Sequence, residues 1–347
     1  MPLNMVTRRV VDRVFDRLSV PPTPTDSPSR DVFDQTNRQF VSGPPLTLHL
    51  PVPALFAAVW AATRESLLAG PTDRMLREVV AGSVSTLNEC PYCVDSHTAS
   101  TSALGADDAA KAVRSGTFDA IGRDDLRSAA RWAAATRSPG HPLLDHPPFA
   151  PEDEPYAVGT ALTFHYLNRL VSAFLKPSPF TMPEWIARRP FMTRVMGVFP
   201  GRILGVPNLQ PGASLRFCPS SAPVPELAKL DKAPEVAAAW SALVAAAEAA
   251  GTAVLSGTCR EVVAEAITGW DGSNAALGTG WIDETVGPLP EGERPAARFA
   301  LLCALASYRI DNGVVDAVRP THPTDADLVS VAAWASSRAA LRIATWI

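Results

Sequence analysis

Charge is scarce in this sequence, and no run of one sign stands out. Only 19% of the 347 residues are charged, with 31 Lys and Arg against 35 Asp and Glu, for a net charge of −4. No basic block and no interleaving of basic with aromatic residues occurs, which excludes nucleic acid as a partner. Alternating β-branched runs are few, so sheet architectures are disfavoured. A glycine-rich phosphate loop is missing too: the stretch GWDGSNAALGTG, ending at Gly280, does not follow a strand, and no flavin, haem or nicotinamide fingerprint is found. Arg8, Arg9, Arg13 and Arg17 interrupt the apolar positions of the N-terminus, unlike a secretory signal. The most apolar stretch, Val236–Leu255, is mostly alanine and holds Glu248 and Gly251, so a core helix is expected there and no membrane span. The five cysteines, an odd number in a chain without a signal, point to a reducing cytoplasm.

What is present is alanine in helical periodicity. Hydrophobic residues make up 47% of the chain, enough core for two domains of ordinary size. The expected class is all-α, with helices over Val6–Leu18, Asp73–Leu87, about Cys90–Leu104, Asp125–Arg137, Tyr156–Leu175, Val236–Leu255, Arg298–Arg309 and Asp327–Trp346. The 33 prolines cluster in Val20–Pro45, Pro139–Pro155, Pro177–Pro211 and Pro219–Pro234, which read as connectors.

The chemistry concentrates in Cys90-Pro91-Tyr92-Cys93 and His97. Positions i, i+3 and i+7 share one helical stripe, so two thiols and an imidazole line up, and sulfurs at i and i+3 can bridge without backbone movement. Pro91 suits the first helical position, which sets Cys90 at the cap and Cys93 in the first turn, where unpaired N–H groups favour an anion. That field contributes only ~0.3–1 kcal/mol, and His97 supplies the rest as hydrogen-bond donor or base. If the flanking helices form an antiparallel hairpin, Glu78 and His97 lie roughly 13 Å and 10 Å from the turn along their axes, so Glu78 can face and orient His97.

Glu78 followed by Cys90-x-x-Cys93-x-x-x-His97 resembles the signature of the alkylhydroperoxidase AhpD-like branch of the carboxymuconolactone decarboxylase superfamily. The resemblance implies an all-α fold, attack on a hydroperoxide by Cys93, resolution by Cys90 as a disulfide, and a proton relay through Glu78 and His97. It implies no cofactor beyond the redox-active Cys90–Cys93 disulfide, and a dithiol reductant, either a lipoyl group or a thioredoxin-like protein. Tyr92 stands where the best-known members carry a histidine.

The unit is repeated. REVVA at Arg77–Ala81 recurs at Arg260–Ala264, each copy preceded by an alanine-rich segment with a tryptophan, Trp60 and Trp240. In the second copy Glu78 maps to Glu261, while Cys90, Cys93 and His97 map to Ser273, Ala276 and Gly280, so the redox set is lost. The expected organisation is an N-terminal helix and proline-rich arm over 1–45, an AhpD-like domain over 46–210 and a degenerate copy over 211–347, forming a pseudo-symmetric pair. Such a fusion can replace the dimer contact of single-domain relatives, and a further homo-oligomer is compatible with it.

The same residues admit other readings. A zinc site from the two thiols, His97 and Glu78 lacks the usual second paired cluster, because Cys218, Cys259 and Cys303 are isolated and read as small buried residues. His165 and Tyr166, in the helix TALTFHYLNRLV, are candidate pocket residues, with a satisfied core histidine as the plainer reading. His49, His141, His146 and His322 lie in proline-bounded loops without a nameable partner, and Trp60, Trp132, Trp240 and Trp334 read as core. Two functional alternatives stand beside the peroxidase: a cofactor-free lyase on a small cyclic acid, and a redox-sensing scaffold that turns nothing over.

Overall fold

Proline and a short polar residue start most of the helices. Asp26 caps α1 (Ser27–Gln39) by accepting from the Ser29 N–H, and proline opens α2 (Pro53–Thr63), which runs on through a wide π-helical turn at Arg64–Leu68. Asp73 caps α3 (Arg74–Leu87), and Cys90 takes the cap position of α4 (Pro91–Ala103). Then come α5 (Asp107–Ser115), α6 (Asp124–Ala135) and the long α7 (Glu154–Phe174). The second half holds α8 (Pro234–Val254), α9 (Gly257–Gly269), α10 (Gly280–Val286), α11 (Arg294–Leu305), α12 (Asn312–Val318) and α13 (Asp325–Ala344). The computed structural model describes residues 14–21, 23–177 and 206–347. Among them the fold is all-α, the one strand-like feature being an isolated antiparallel bridge between Phe15 and Leu175.

One continuous core joins the two halves. α2 packs on α8, and α7 packs on α3 on one side and α13 on the other. Trp60, Trp132, Trp240 and Trp334 are all buried, as their apolar surroundings in the sequence predict. At Gly251 an added Cβ would stand 2.4 Å from Trp334 Cγ, so the missing side chain is what lets α8 and α13 approach. α8 is long and apolar enough to cross a membrane, yet its Val236, Trp240 and Leu243 are fully buried against protein. Its few charges and high alanine content serve close helix packing.

Three expectations need correcting. The helix over Val6–Leu18 lies outside the described residues up to residue 13, and residues 14–18 are not helical. They run beside the end of α7 instead: the Lys176 N–H donates to Val14 O, the Asp16 N–H to Phe174 O, and Arg17 Nη1 to Ala173 O. Carbonyls at a helix C-terminus lack intrahelical donors, and this segment supplies them. The Val20–Pro45 connector contains α1, whose Asp26 cap and Pro28 in the first turn are a helix start, not a breaker. The connector over Pro177–Pro211 lies outside the described residues from 178 to 205, whereas 219–234 includes a 3-10 turn at Pro225–Leu230.

Three of the four loop histidines have partners. His49 is fully buried, with Nδ1 at 3.1 Å from Leu46 O and Nε2 at 3.0 Å from Tyr166 OH. His141 Nδ1 accepts from the Leu143 N–H, and His322 Nε2 donates to Val254 O. Cys259 and Cys303 are buried as expected, while Cys218 is only half-buried. Burial pushes His49 from 6.5 down to about 4. The unfolded chain therefore binds a proton between those two values that the folded chain refuses, so stability is intact above 6.5 and falls as pH drops towards 4. His165, pushed down by burial and by Arg169 and Arg137, has the same sign. Urea unfolding followed by tryptophan fluorescence is expected to show about 3 kcal/mol lost from His49 alone across this window. His49→Gln is expected to flatten that part of the slope.

Candidate active site

The hairpin of α3 and α4 builds the site, and a small residue sets its spacing. An added Cβ at Gly82 would stand 2.9 Å from Val113 Cγ1 and 3.5 Å from His97 Cβ, so glycine permits α3 to lie against α4 and α5. Asn88 and Glu89 make the turn, with Glu89 at φ 53, and Pro91 then starts α4 with Cys90 at its cap. Glu78 and His97 come level across the hairpin, as the axial spacing predicts: His97 Nδ1 donates to Glu78 Oε2 at 2.6 Å. Arg74, one turn before Glu78, holds the other oxygen, Oε1, through Nε at 2.8 Å. Burial alone would raise the Glu78 carboxyl, but Arg74 and His97 outweigh it and hold it at about 2, so it is a permanent anion. The hydrogen bond to Glu78 fixes a proton on His97 Nδ1 and leaves Nε2 as the ring nitrogen that can exchange a proton with the site. Phe164 of α7 packs edge-on against the ring, centroids 4.2 Å apart.

Cys90 and Cys93 are both free thiols and both buried, 1% and 3% exposed. They interact as a pair. Burial opposes charge on Cys90, but the Cys93 thiol and backbone N–H, with Ser172 and Asn168 of α7, favour it and bring its pKa below the ordinary thiol value. Burial and the gift of its hydrogen to Cys90 push Cys93 up. The first proton lost thus belongs to the pair. Ionisation of the pair is thus favoured at the capping sulfur, and one proton shift between the sulfurs would transfer the charge to Cys93. Its place in the first turn predicts the anion on Cys93; burial pushes that thiol up instead, while the capping Cys90 is brought down.

Tyr92 lies beside the sulfurs, its phenol pushed up by burial and by both cysteines, and is thus a neutral neighbour. His165 and Tyr166 sit on α7, both fully buried. His165 Nδ1 lies 3.1 Å from Asn88 Nδ2 and Nε2 lies 2.8 Å from Thr136 Oγ1, while Tyr166 pairs with His49. Both are satisfied core residues, and His165 reaches the thiols only through Asn88 and Asn168. Arg74, Asn168 and Ser172 were missed from sequence. A usable signal existed: His165, Asn168 and Ser172 repeat the i, i+3, i+7 spacing of Cys90, Cys93 and His97 in a mostly apolar helix.

In the second half the equivalent of Glu78, Glu261, is exposed on α9, and Ser273, Ala276 and Gly280 are exposed as well. No redox set is assembled there. Among the described residues no three of His, Cys, Asp and Glu stand together as a metal site. A groove of about 840 Å³ lined by Thr117, Phe118, Arg131, Ser138 and His141 includes none of the thiol-site residues.

Two comparisons with known proteins bear on this site. The model of the carboxymuconolactone decarboxylase family matches residues 53–137, a span that contains Glu78, Cys90, Cys93 and His97. A protein of Mycobacterium tuberculosis named alkyl hydroperoxide reductase is 33% identical over 318 residues, covering 91% of this chain and 90% of that protein. Similarity that runs through both halves, together with a family match centred on the α3–α4 hairpin, shows that the chain belongs to the carboxymuconolactone decarboxylase family.

Proposed function

We propose that this protein is a cofactor-free thiol peroxidase of the alkylhydroperoxidase type, or a closely related thiol–disulfide oxidoreductase, that cycles the Cys90–Cys93 pair. The observation that carries the reading is the buried Arg74–Glu78–His97 chain on the same hairpin as two coupled thiols. The name of the mycobacterial relative supports it. In the forward step the Cys93 thiolate attacks the terminal oxygen of a hydroperoxide. The O–O bond breaks, sulfur is oxidised to the sulfenic acid, and the leaving alkoxide takes the proton that the thiol pair gave up on ionising, carried on His97 Nε2 while Glu78 holds the ring through Nδ1. Cys90 then attacks the Cys93 sulfur, releasing water and closing the disulfide. An external dithiol reopens it by exchange, becoming a disulfide itself. Sulfurs this deeply buried suit a small oxidant and a slender reductant arm such as a lipoyl group better than the broad face of a thioredoxin-like protein.

The same proposal covers the organisation and setting of the chain. Residues 46–210 form the redox unit and 211–347 a degenerate copy. Matching helices support this: α2 and α8 each carry a buried tryptophan and precede the REVVA helices α3 and α9, and α7 and α13 pack on each other. The second copy serves as a scaffold, with homo-oligomers still open to the assembled pair. Five free cysteines fit a reducing cytoplasm.

The test is stoichiometric. One equivalent of an alkyl hydroperoxide added to the reduced protein is expected to remove two hydrogens from the intact mass, with the bridge mapping to Cys90–Cys93, and a small dithiol is expected to restore them over repeated cycles. An unchanged mass, or oxidation scattered over Cys218, Cys259 and Cys303, would overturn the reading.

A further inference from the structure

Two turns meet at the seam between the halves, and both bend in the same way. Glu89, the residue before Cys90, has φ 53, and Gly272, aligned with it by the same spacing that sets Glu261 on Glu78, has φ 86. The second copy has therefore kept the turn that precedes its missing thiol pair. Glycine adopts this left-handed conformation freely, whereas a glutamate in it is strained and needs support from its surroundings. Arg137, just past the end of α6, ties the two turns together. Its Nη1 donates to Leu87 O at 3.2 Å, one of the carbonyls that the end of α3 leaves without an intrahelical donor. Its Nε donates to Gly272 O at 3.0 Å and its Nη2 to Asn274 Oδ1 at 2.8 Å. Asn274 Nδ2 then donates to Glu89 Oε1 at 3.4 Å, so one orientation of the amide serves both partners. The loop is held to this task from its own side. Trp270 Nε1 donates to Ser273 O at 2.8 Å while its ring lies 5.4 Å from the Arg137 guanidinium, and Arg309 donates to Ala275 O at 2.9 Å and to Ala276 O at 2.7 Å. An added Cβ at Gly272 would stand 1.9 Å from Arg137 O, so the contact requires glycine for its missing side chain as well as for its backbone angle.

We infer that the loop of the second copy around Gly272 and Asn274, acting through Arg137, fastens the turn in front of Cys90, and that Arg137 and Asn274 are positioning residues for the resolving step. Gly272 and Asn274 flank Ser273, the position aligned with Cys90, so the segment that lost its own thiols holds the resolving thiol of the other copy in place. The inference rests on the peroxidase reading for the step it serves, while the fastening itself stands on the geometry. In that step the Cys90 sulfur attacks the Cys93 sulfenic acid, the S–S bond forms, the S–O bond breaks, and the oxygen leaves as water with the proton that Cys90 gave up. Its rate depends on how constantly Cys90 stays at the cap of α4, one turn from Cys93. The Cys90 N–H donates to Ser85 O at 3.0 Å, a bond that spans the turn at Asn88 and Glu89. A turn that relaxes its strained residue lets the capping thiol drift, whereas Cys93 is fixed within the helix itself.

The experiment compares the full chain with Arg137→Leu, Arg137→Lys and Asn274→Ala, with near-UV circular dichroism as the folding control. In the first readout the reduced protein is equilibrated with mixtures of oxidised and reduced dithiothreitol, so that two hydrogens pass from the Cys90–Cys93 pair to the reagent as the bridge closes. In the second, one equivalent of cumene hydroperoxide is added together with dimedone, which competes with Cys90 for the Cys93 sulfenic acid. Arg137→Leu removes charge-assisted hydrogen bonds and is expected to lower the bridging equilibrium about tenfold and to raise the ratio of dimedone adduct to disulfide by a similar factor. Asn274→Ala removes the exposed part of the fastening, for an expected change of about threefold in the same directions. Arg137→Lys, which keeps the charge and one donor, is expected to fall between Arg137→Leu and wild type. In a Glu89→Gly background Arg137→Leu is expected to lose most of its effect, because glycine holds the turn without help. Should Arg137→Leu fail to fold, Asn274→Ala, a surface change, supplies both readouts. Bridging equilibria and dimedone ratios equal to wild type in the folded Arg137 and Asn274 variants would overturn the inference. A wild type that bridges with oxidised dithiothreitol but ignores hydroperoxide, with its bridging equilibrium lowered by Arg137→Leu, would sink the peroxidase reading and leave the fastening standing.

Discussion

Serine at both Cys90 and Cys93 is expected to bring hydroperoxide turnover down to the uncatalysed rate while leaving the fold intact. Both side chains are buried and nearly the size of serine, so little packing is lost, but no sulfur remains at the site to be oxidised and rereduced. The single variants separate the roles. With Cys90→Ser, one equivalent of hydroperoxide is expected to leave a sulfenic acid trapped on Cys93, detectable by dimedone labelling, with a single turnover and no recycling. With Cys93→Ser, the expectation is slow or absent oxidation, because the proposed cycle gives Cys90 only the resolving step. A label on Cys90 in that variant, at the wild-type rate, would exchange the two assignments. The double variant also decides against the lyase reading: a lyase working through Glu78 and His97 would retain most of its activity without either sulfur.

Glu78→Gln is the second large effect, and it acts on rate and stability with different pH signatures. The amide keeps the shape but cannot hold both the Arg74 guanidinium and the His97 Nδ1–H with a fixed negative charge. Loss of a positioned acid–base relay typically costs about 10²–10⁴-fold, and a fall of that order in kcat/KM for hydroperoxide is expected near neutral pH. For stability, the folded carboxyl sits at about 2 against 4.5 in the unfolded chain. The depressed value means the contribution is fully present above 4.5 and disappears as pH falls through about 2. About 3 kcal/mol is therefore expected to separate wild type from Glu78→Gln in denaturant unfolding near pH 7, with the gap closing in strong acid. A rate loss without the stability gap would mean that Glu78 is not ionised at rest.

The site was legible in the sequence to the extent that its residues lie on one local hairpin. Helical periodicity places Cys90, Cys93 and His97 on one stripe, and the turn at Asn88 and Glu89 sets Glu78 opposite His97; both inferences need only the helical rise. Arg74 was within reach of the same logic, four residues before Glu78, but a charged residue in a first turn has too many ordinary uses to single it out. Asn168 and Ser172 come from a helix more than seventy residues away, and no local rule gives the rotation of α7 about its axis. The helix start of α4 followed from Pro91, while α3 and α8 followed from the apolar spacing of Asp73–Leu87 and the apolar run Val236–Leu255. α1 was hidden by the prolines around it, which were counted as breakers although Pro28 stands where a helix tolerates one. Segment 14–18 took its shape from the unpaired carbonyls at the end of α7, a demand invisible in its own residues.

The placement of α7 has one more consequence. The helix that brings Phe164 to His97 and Asn168 to Asn88 and Ser85 of the hairpin is held from behind by the second half of the chain, through its packing on α13 and through Arg169 Nε donating to Ala304 O at 2.8 Å. Were that support a separate subunit, the thiol site would come apart by mass action whenever the protein became dilute. Here the support is tethered within one polypeptide and its effective local concentration is fixed. A molecule alone in its surroundings keeps the same thiol geometry as one at high abundance, so its readiness does not depend on how much of it has been made.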